Sequence, residues 1–79
     1  MEIAYPIEWV IEIYEELKLT AVSRIGTSII FKRDGLGRRV PMPVLREIPE
    51  HVLIDNVDAA GILQEYYAAR DKVLARHTS

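Results

Sequence analysis

Residues 27–44 read TSIIFKRDGLGRRVPMPV, and this stretch decides the fold. Thr27 to Lys32 is rich in β-branched and aromatic residues, which predicts a strand. Asp34-Gly35-Leu36-Gly37 is a turn, with two glycines able to adopt positive φ. Arg38 to Val44 resumes an extended segment, with Val40, Met42 and Val44 on one face and Pro41 and Pro43 on the other. Proline has no N–H to give to a ladder, so this second strand lies at an edge or leaves one side open. A β-hairpin from about 27 to 44 is therefore the centre from which the rest is read.

Upstream, Pro6 suits the first turn of a helix. Ile7, Val10, Ile11, Tyr14 and Leu17 follow at helical spacing, with Glu8, Glu12, Glu15 and Glu16 opposite. Trp9 and Ile13 widen the apolar stripe beyond what one face needs. Either a sheet wraps that flank or Trp9 is partly exposed, or, more sharply, the flank meets a second copy or another partner. Leu19, Ala21 and Val22 begin a weak strand. Downstream, two readings stand for residues 50–76. Pro49-Glu50 opens a helix that Gly61 ends, with another helix following. Alternatively, Val52 to Ile54 is extended and Asp55, with Asp58 three residues on, caps one long helix. Ile62, Tyr66, Ala69 and Val73 form a helical stripe, and residues 76–79 are expected to fray. The order is helix, three-stranded antiparallel sheet, helix: a small two-layer α+β domain with a C-terminal helical extension, one domain over residues 1–79.

The 79 residues include 49% hydrophobic side chains and no cysteine. A chain of this size buries only about 60–65% of its unfolded surface, so its core is thin. It has neither disulfides nor thiolate metal sites to reinforce it. No basic leader and no apolar run of membrane-spanning length is visible, so a cytoplasmic protein is expected. Charge is uneven. Residues 1–23 hold five acids against Lys18 (−4), and residues 47–79 hold six against Arg70, Lys72 and Arg76 (−3). Residues 24–46 hold Arg24, Lys32, Arg33, Arg38, Arg39 and Arg46 against Asp34 (+5). A basic middle suits nucleic acid, or an acidic protein surface that includes a second copy of the chain.

Within LKLTAVSRIGTSIIF (residues 17–31) a helix ends in leucine, a strand follows, and a Gly-Thr-Ser turn precedes an apolar-aromatic strand. With Gly37-Arg38-Arg39-Val40, Met42-Pro43, Arg46-Glu47-Ile48-Pro49 and Ala60-Gly61-Ile62, this resembles the HicA-like (YcfA-like) toxin family over about 45 central residues. The resemblance implies a fold similar to the double-stranded-RNA-binding domain, and a small ribonuclease toxin neutralised by an antitoxin protein. In that family a histidine follows the Gly-Ser pair. Here Ser28 occupies that position, Ile29 stands where a second histidine is common, and Thr27 replaces the serine.

Cleavage through the RNA 2′-hydroxyl needs a group that moves protons near neutral pH; histidine does so and serine alone does not. No catalytic residue is therefore assigned. His51 reads as a surface residue near a helix start and His77 as part of a solvated tail. What the resemblance leaves is binding of RNA or of an antitoxin-like protein, with Arg24, Lys32, Arg33, Arg38, Arg39 and Arg46 as candidate phosphate contacts. The alternative is a protein-interaction or homodimer module in which Trp9, Ile13, Tyr66 and Tyr67 form the contact surface. No metal-ligand spacing and no phosphate or dinucleotide loop is present, so no metal or cofactor is expected.

Overall fold

A computed structural model describes residues 2–78. The chain forms β1 (Ala4–Pro6), α1 (Ile7–Glu16), β2 (Thr20–Ile25), β3 (Ser28–Lys32), β4 (Arg39–Pro43), β5 (Glu47–Pro49), α2 (Glu50–Ala59) and α3 (Leu63–Thr78). This is an α+β domain in which a three-stranded antiparallel sheet, ordered β2-β3-β4, packs against helices, with β1 and β5 paired as a separate two-stranded ribbon.

The hairpin registers as the sequence implies, with Phe31 opposite Val40 and Ile29 opposite Met42. The Val44 amide donates to the Thr27 carbonyl (2.7 Å). Because ladder bonds alternate, Val40, Met42 and Val44 turn their amides toward β3, and positions 41 and 43, where proline has none, face outward. β4 is thus an edge, and α2 runs along it. The Asn56 side-chain amide donates to the Pro41 carbonyl, and the Arg38 guanidinium donates to the Ala59 carbonyl at the end of α2. Of the two turn glycines, only Gly35 has positive φ (80°).

The core lies between the inner sheet face and the helices. Val40, Met42 and Phe31 meet Val10, Ile13, Tyr14, Leu53, Val57, Tyr66 and Val73, all buried. Tyr14 packs edge-on to Phe31 at 4.8 Å between ring centroids. Its hydroxyl has no hydrogen-bond partner. Burial pushes the phenol up to about 12, with a smaller opposing contribution from Asn56. Residues 50–78 form two helices, as the first of the two readings had it. The alternative with residues 52–54 extended and Asp55 as a cap is not what forms. α3 continues to Thr78, so the expected fraying from residue 76 is corrected; Ser79 lies outside the described residues.

Two helices end in the same way. After α2, Gly61 takes φ 80°; its amide bonds to Asp58 (2.9 Å) and the Ile62 amide to Val57 (3.0 Å). After α1, Lys18 takes φ 61°; its amide bonds to Glu15 (2.9 Å) and the Leu19 amide to Tyr14 (3.0 Å). Both are left-handed helix caps that satisfy two terminal carbonyls each. The first uses the residue that tolerates this conformation, and the second uses a side chain that does not. Lys18→Gly is accordingly expected to raise stability by about 1 kcal/mol, seen as a higher urea midpoint with an unchanged slope. No change, or a fall, would show that Lys18 is unstrained there.

Candidate functional site

The register sorts the side chains of the three-stranded sheet. Ala21, Arg24, Ile29, Phe31, Val40 and Met42 share the inner face, and Thr20, Ser23, Ile25, Ser28, Ile30, Lys32, Arg39, Pro41 and Pro43 share the outer one. Partly buried apolar side chains such as Ile29, Ile11 and Trp9 pack on the core, and Ile30 and Ile25 are not among them. Ile25 is 62% exposed. The outer face is therefore bare of helix. Its centre is apolar (Ile25, Ile30, Pro41, Pro43), flanked by Ser23 and Ser28. One end is basic, where Lys32 stands directly opposite Arg39. None of the three strands contains an acid. Like charges directly opposite on a sheet repel, and neither side chain has an ion-pair partner among the described residues.

The six basic residues do not form one patch. Arg33 pairs with Glu65 at the start of α3, and Arg38 caps α2. Both therefore already have partners within the chain. Lys32 and Arg39 are adjacent on the outer face. Arg24 is exposed on β2 in the inner-face row, and Arg46 is exposed in the loop between β4 and β5.

Ser28 opens β3, half-buried, facing Ile25 on one side and Pro43 on the other. The sheet carries no imidazole. His51, exposed on α2, meets the Glu2 carboxylate, which raises its pKa. His77 is not a free tail residue: its ring stacks on Trp9 (4.6 Å, 10°) and its Nε2 lies 2.6 Å from Glu12. At Trp9 the apolar stripe of α1 is thus covered by a helix, α3, while Tyr14 of the same helix packs on Phe31 of the sheet. Among the described residues there is no group of three or more side chains fit to hold a metal ion, and no helix is long and apolar enough to cross a membrane.

The contact surface expected from the sequence is corrected at two of its four residues. Ile13 and Tyr66 are wholly buried in the chain's own core and offer no surface. Tyr67 is partly covered and lies 5.1 Å from the Arg70 guanidinium, while Trp9 is engaged by His77. Sequence reasoning missed the outer-face residues Ile25, Ile30, Pro41 and Pro43 as a group. The available signal was the alternation of Ile30 with Phe31 across a hairpin whose prolines share Ile30's side.

α1 and α3 are joined by a charged seam. Arg76 bonds to Glu12 (3.0 Å) and Glu16 (2.9 Å), and Lys72 reaches Glu16 (3.0 Å). Hydrogen bonding from His77 and then Arg76 lowers the Glu12 pKa; Arg76 and then Lys72 lower that of Glu16. A carboxylate whose folded pKa is depressed contributes stability above its unfolded value, 4.5 here, and loses it as pH falls through the folded pKa. The melting temperature should therefore fall as pH drops below 4.5, with a shallower fall in the Glu12→Gln/Glu16→Gln variant. Equal slopes in the two proteins would show that the seam is solvated and energetically silent.

No family model, no curated protein and no solved structure matches the chain.

Proposed function

We propose that this chain is a non-catalytic binding domain that holds an acidic, partly apolar polypeptide against the open outer face of its sheet. The observation that carries the reading is that face itself: an apolar centre, a repelling Lys32–Arg39 pair at one end and no acid on any of its strands. A partner with alternating apolar and acidic side chains would cover the first and neutralise the second. This agrees with the antitoxin-binding half of the family resemblance. The enzymatic half is set aside because Ser28 has no imidazole beside it to move a proton.

RNA fits the same face less well. Sheets that bind single-stranded RNA stack bases on aromatic side chains. Here Tyr5, Tyr14, Phe31 and Tyr66 are buried, and Trp9 and Tyr67 belong to helices. Two of the six basic side chains are already engaged within the chain, and four scattered cations make a weak phosphate track.

Selection of a random displayed peptide library against the wild type, counter-selected on Ile30→Asp, tests the reading. Peptides mixing apolar and acidic residues should be enriched. Their affinity should fall at least about 30-fold in Ile30→Asp, as for loss of a central anchor. No enrichment, or binding indifferent to Ile30→Asp, would overturn it. Salt-dependent binding of a labelled RNA duplex, lost in Lys32→Glu/Arg39→Glu, would assign the face to RNA instead.

A further inference from the structure

The sheet's other edge, β2, has no neighbour beyond β3. All six residues of β2 are exposed, including Val22 (51%) and Ile25 (62%), and the strand bulges between Ala21 and Ser23. Which of its backbone groups are free follows from the ladder. Thr27 bonds to β4, so Ile29 and Phe31 do too, and Ser28, Ile30 and Lys32 bond toward β2. Their partners Ile25, Ser23 and Thr20 are thereby satisfied. Ala21 and Arg24 turn their amides and carbonyls outward, with no partner strand there among the described residues.

Beside this edge, on the inner side, runs a groove of about 420 Å³ between α1 and the sheet. It is lined by Ile11, Leu19, Ala21, Ile29 and Phe31, together with Glu15 and Thr20. Glu15 has no ion pair among the described residues, and neither has Arg24.

We propose that β2 is a homodimer edge, pairing antiparallel with β2 of a second copy so that Ala21 faces Arg24 of that copy and the two sheets run together. Three conditions admit this register; self-pairing of Ala21 or of Arg24 also meets them, but each joins a single outward position and the second sets like charges opposite each other. Facing residues must lie on the same side of the joined sheet, and Ala21 and Arg24 both lie on the inner side. Facing residues that exchange ladder bonds must both have outward backbone groups, and these two do. Two-fold symmetry must repeat the pair, and Arg24 then faces Ala21 of the other copy in turn. The bulge makes this possible: without its extra residue, positions 21 and 24 would fall on opposite sides.

The chemistry is self-complementary. Ala21 is small and leaves the groove mouth open beside it. The Arg24 side chain that enters from the second copy passes over apolar groove surface toward Glu15. Each copy gives one arginine and one glutamate, so two cross-chain ion pairs form. Val22, 51% exposed between the two facing positions, is covered by the same event. A bulge and a charge on an edge strand usually discourage random strand addition; here they favour one register over the others. The pairing does not depend on what occupies the outer sheet face.

Sedimentation equilibrium of the full chain tests this. The wild type should show a concentration-dependent monomer–dimer equilibrium. Arg24→Glu and Glu15→Arg should each weaken it at least about 10-fold, because each places like charges together at the joint. Arg24→Glu combined with Glu15→Arg should restore it. Both positions are exposed, and unchanged circular dichroism and urea midpoints confirm intact folding. A wild type that stays monomeric, a dimer indifferent to Arg24→Glu, or a double variant no better than the singles would each overturn the proposal. So would a dimer lost in Trp9→Ala, which would place the contact on the helices.

Discussion

Phe31→Ala should destabilise the domain by about 3–5 kcal/mol, while Ile30→Ala, one residue away, should cost about 1 kcal/mol or less. The two residues share one strand and similar β-propensity, so propensity cannot separate them. Phe31 is buried against Tyr14 and sits opposite Val40 and Ala21, whereas Ile30 faces outward between Ser23 and Pro41. Truncating Phe31 removes transfer free energy and leaves a cavity that the ring of Tyr14 fills only in part. Truncating Ile30 removes surface that is not packed on the core. A domain of this size has about 4–12 kcal/mol in total, so Phe31→Ala should leave little or no folded protein at room temperature in moderate urea. Equal costs at the two positions would mean that the strand register is wrong or that the outer face is covered.

The second large effect lies at the junction of α2 and α3. Glu50 opens α2, and its carboxylate accepts from Arg70 (2.7 Å) and from the Tyr66 hydroxyl (3.2 Å). The Arg70 and Glu50 side chains are only 24% and 16% exposed. Burial first, and then Glu50, raises the Tyr66 pKa, so this phenol serves as a donor. Arg70 also lies near the rings of Tyr66 and Tyr67, at 5.9 and 5.1 Å. Arg70→Met should therefore cost about 2–3 kcal/mol, somewhat below the range for a fully buried pair, because a carboxylate is left with one neutral donor. The Arg70→Met/Glu50→Gln double variant should recover at least half of that loss, since no buried charge then stands alone. Urea denaturation of the four proteins gives the cycle; a strictly additive result would show that the pair is not coupled.

The sequence showed most plainly those elements whose signal is local. The hairpin follows from a β-branched run, a glycine turn and prolines restricted to one side. The last helix follows from Ile62, Tyr66, Ala69 and Val73, all of which are buried. The ribbon of β1 and β5 was not visible, because three-residue strands ending in proline have no period to detect and their partners are far apart in the chain. The full length of β2 was hidden for another reason: the bulge at Val22 breaks its alternation and none of its residues is buried. Charge was easy to count and hard to assign. Nothing local distinguishes Arg33 and Arg38, which serve Glu65 and the end of α2, from Lys32 and Arg39, which have no side-chain partner among the described residues. The cover over Trp9 was hidden because His77, which stacks on it, lies at the far end of the chain.

The ribbon also constrains the order of assembly. Ala4 pairs with Pro49 and Tyr5 with Ile48, so the hairpin, α1 and every loop between them lie inside the circuit that these few bonds close. Joining ends so distant is entropically slow and is rewarded only after the intervening structure has drawn them together. The clasp is thus a late event in folding. During synthesis Ala4–Pro6 would have no strand to pair with until Glu47–Pro49 had been made.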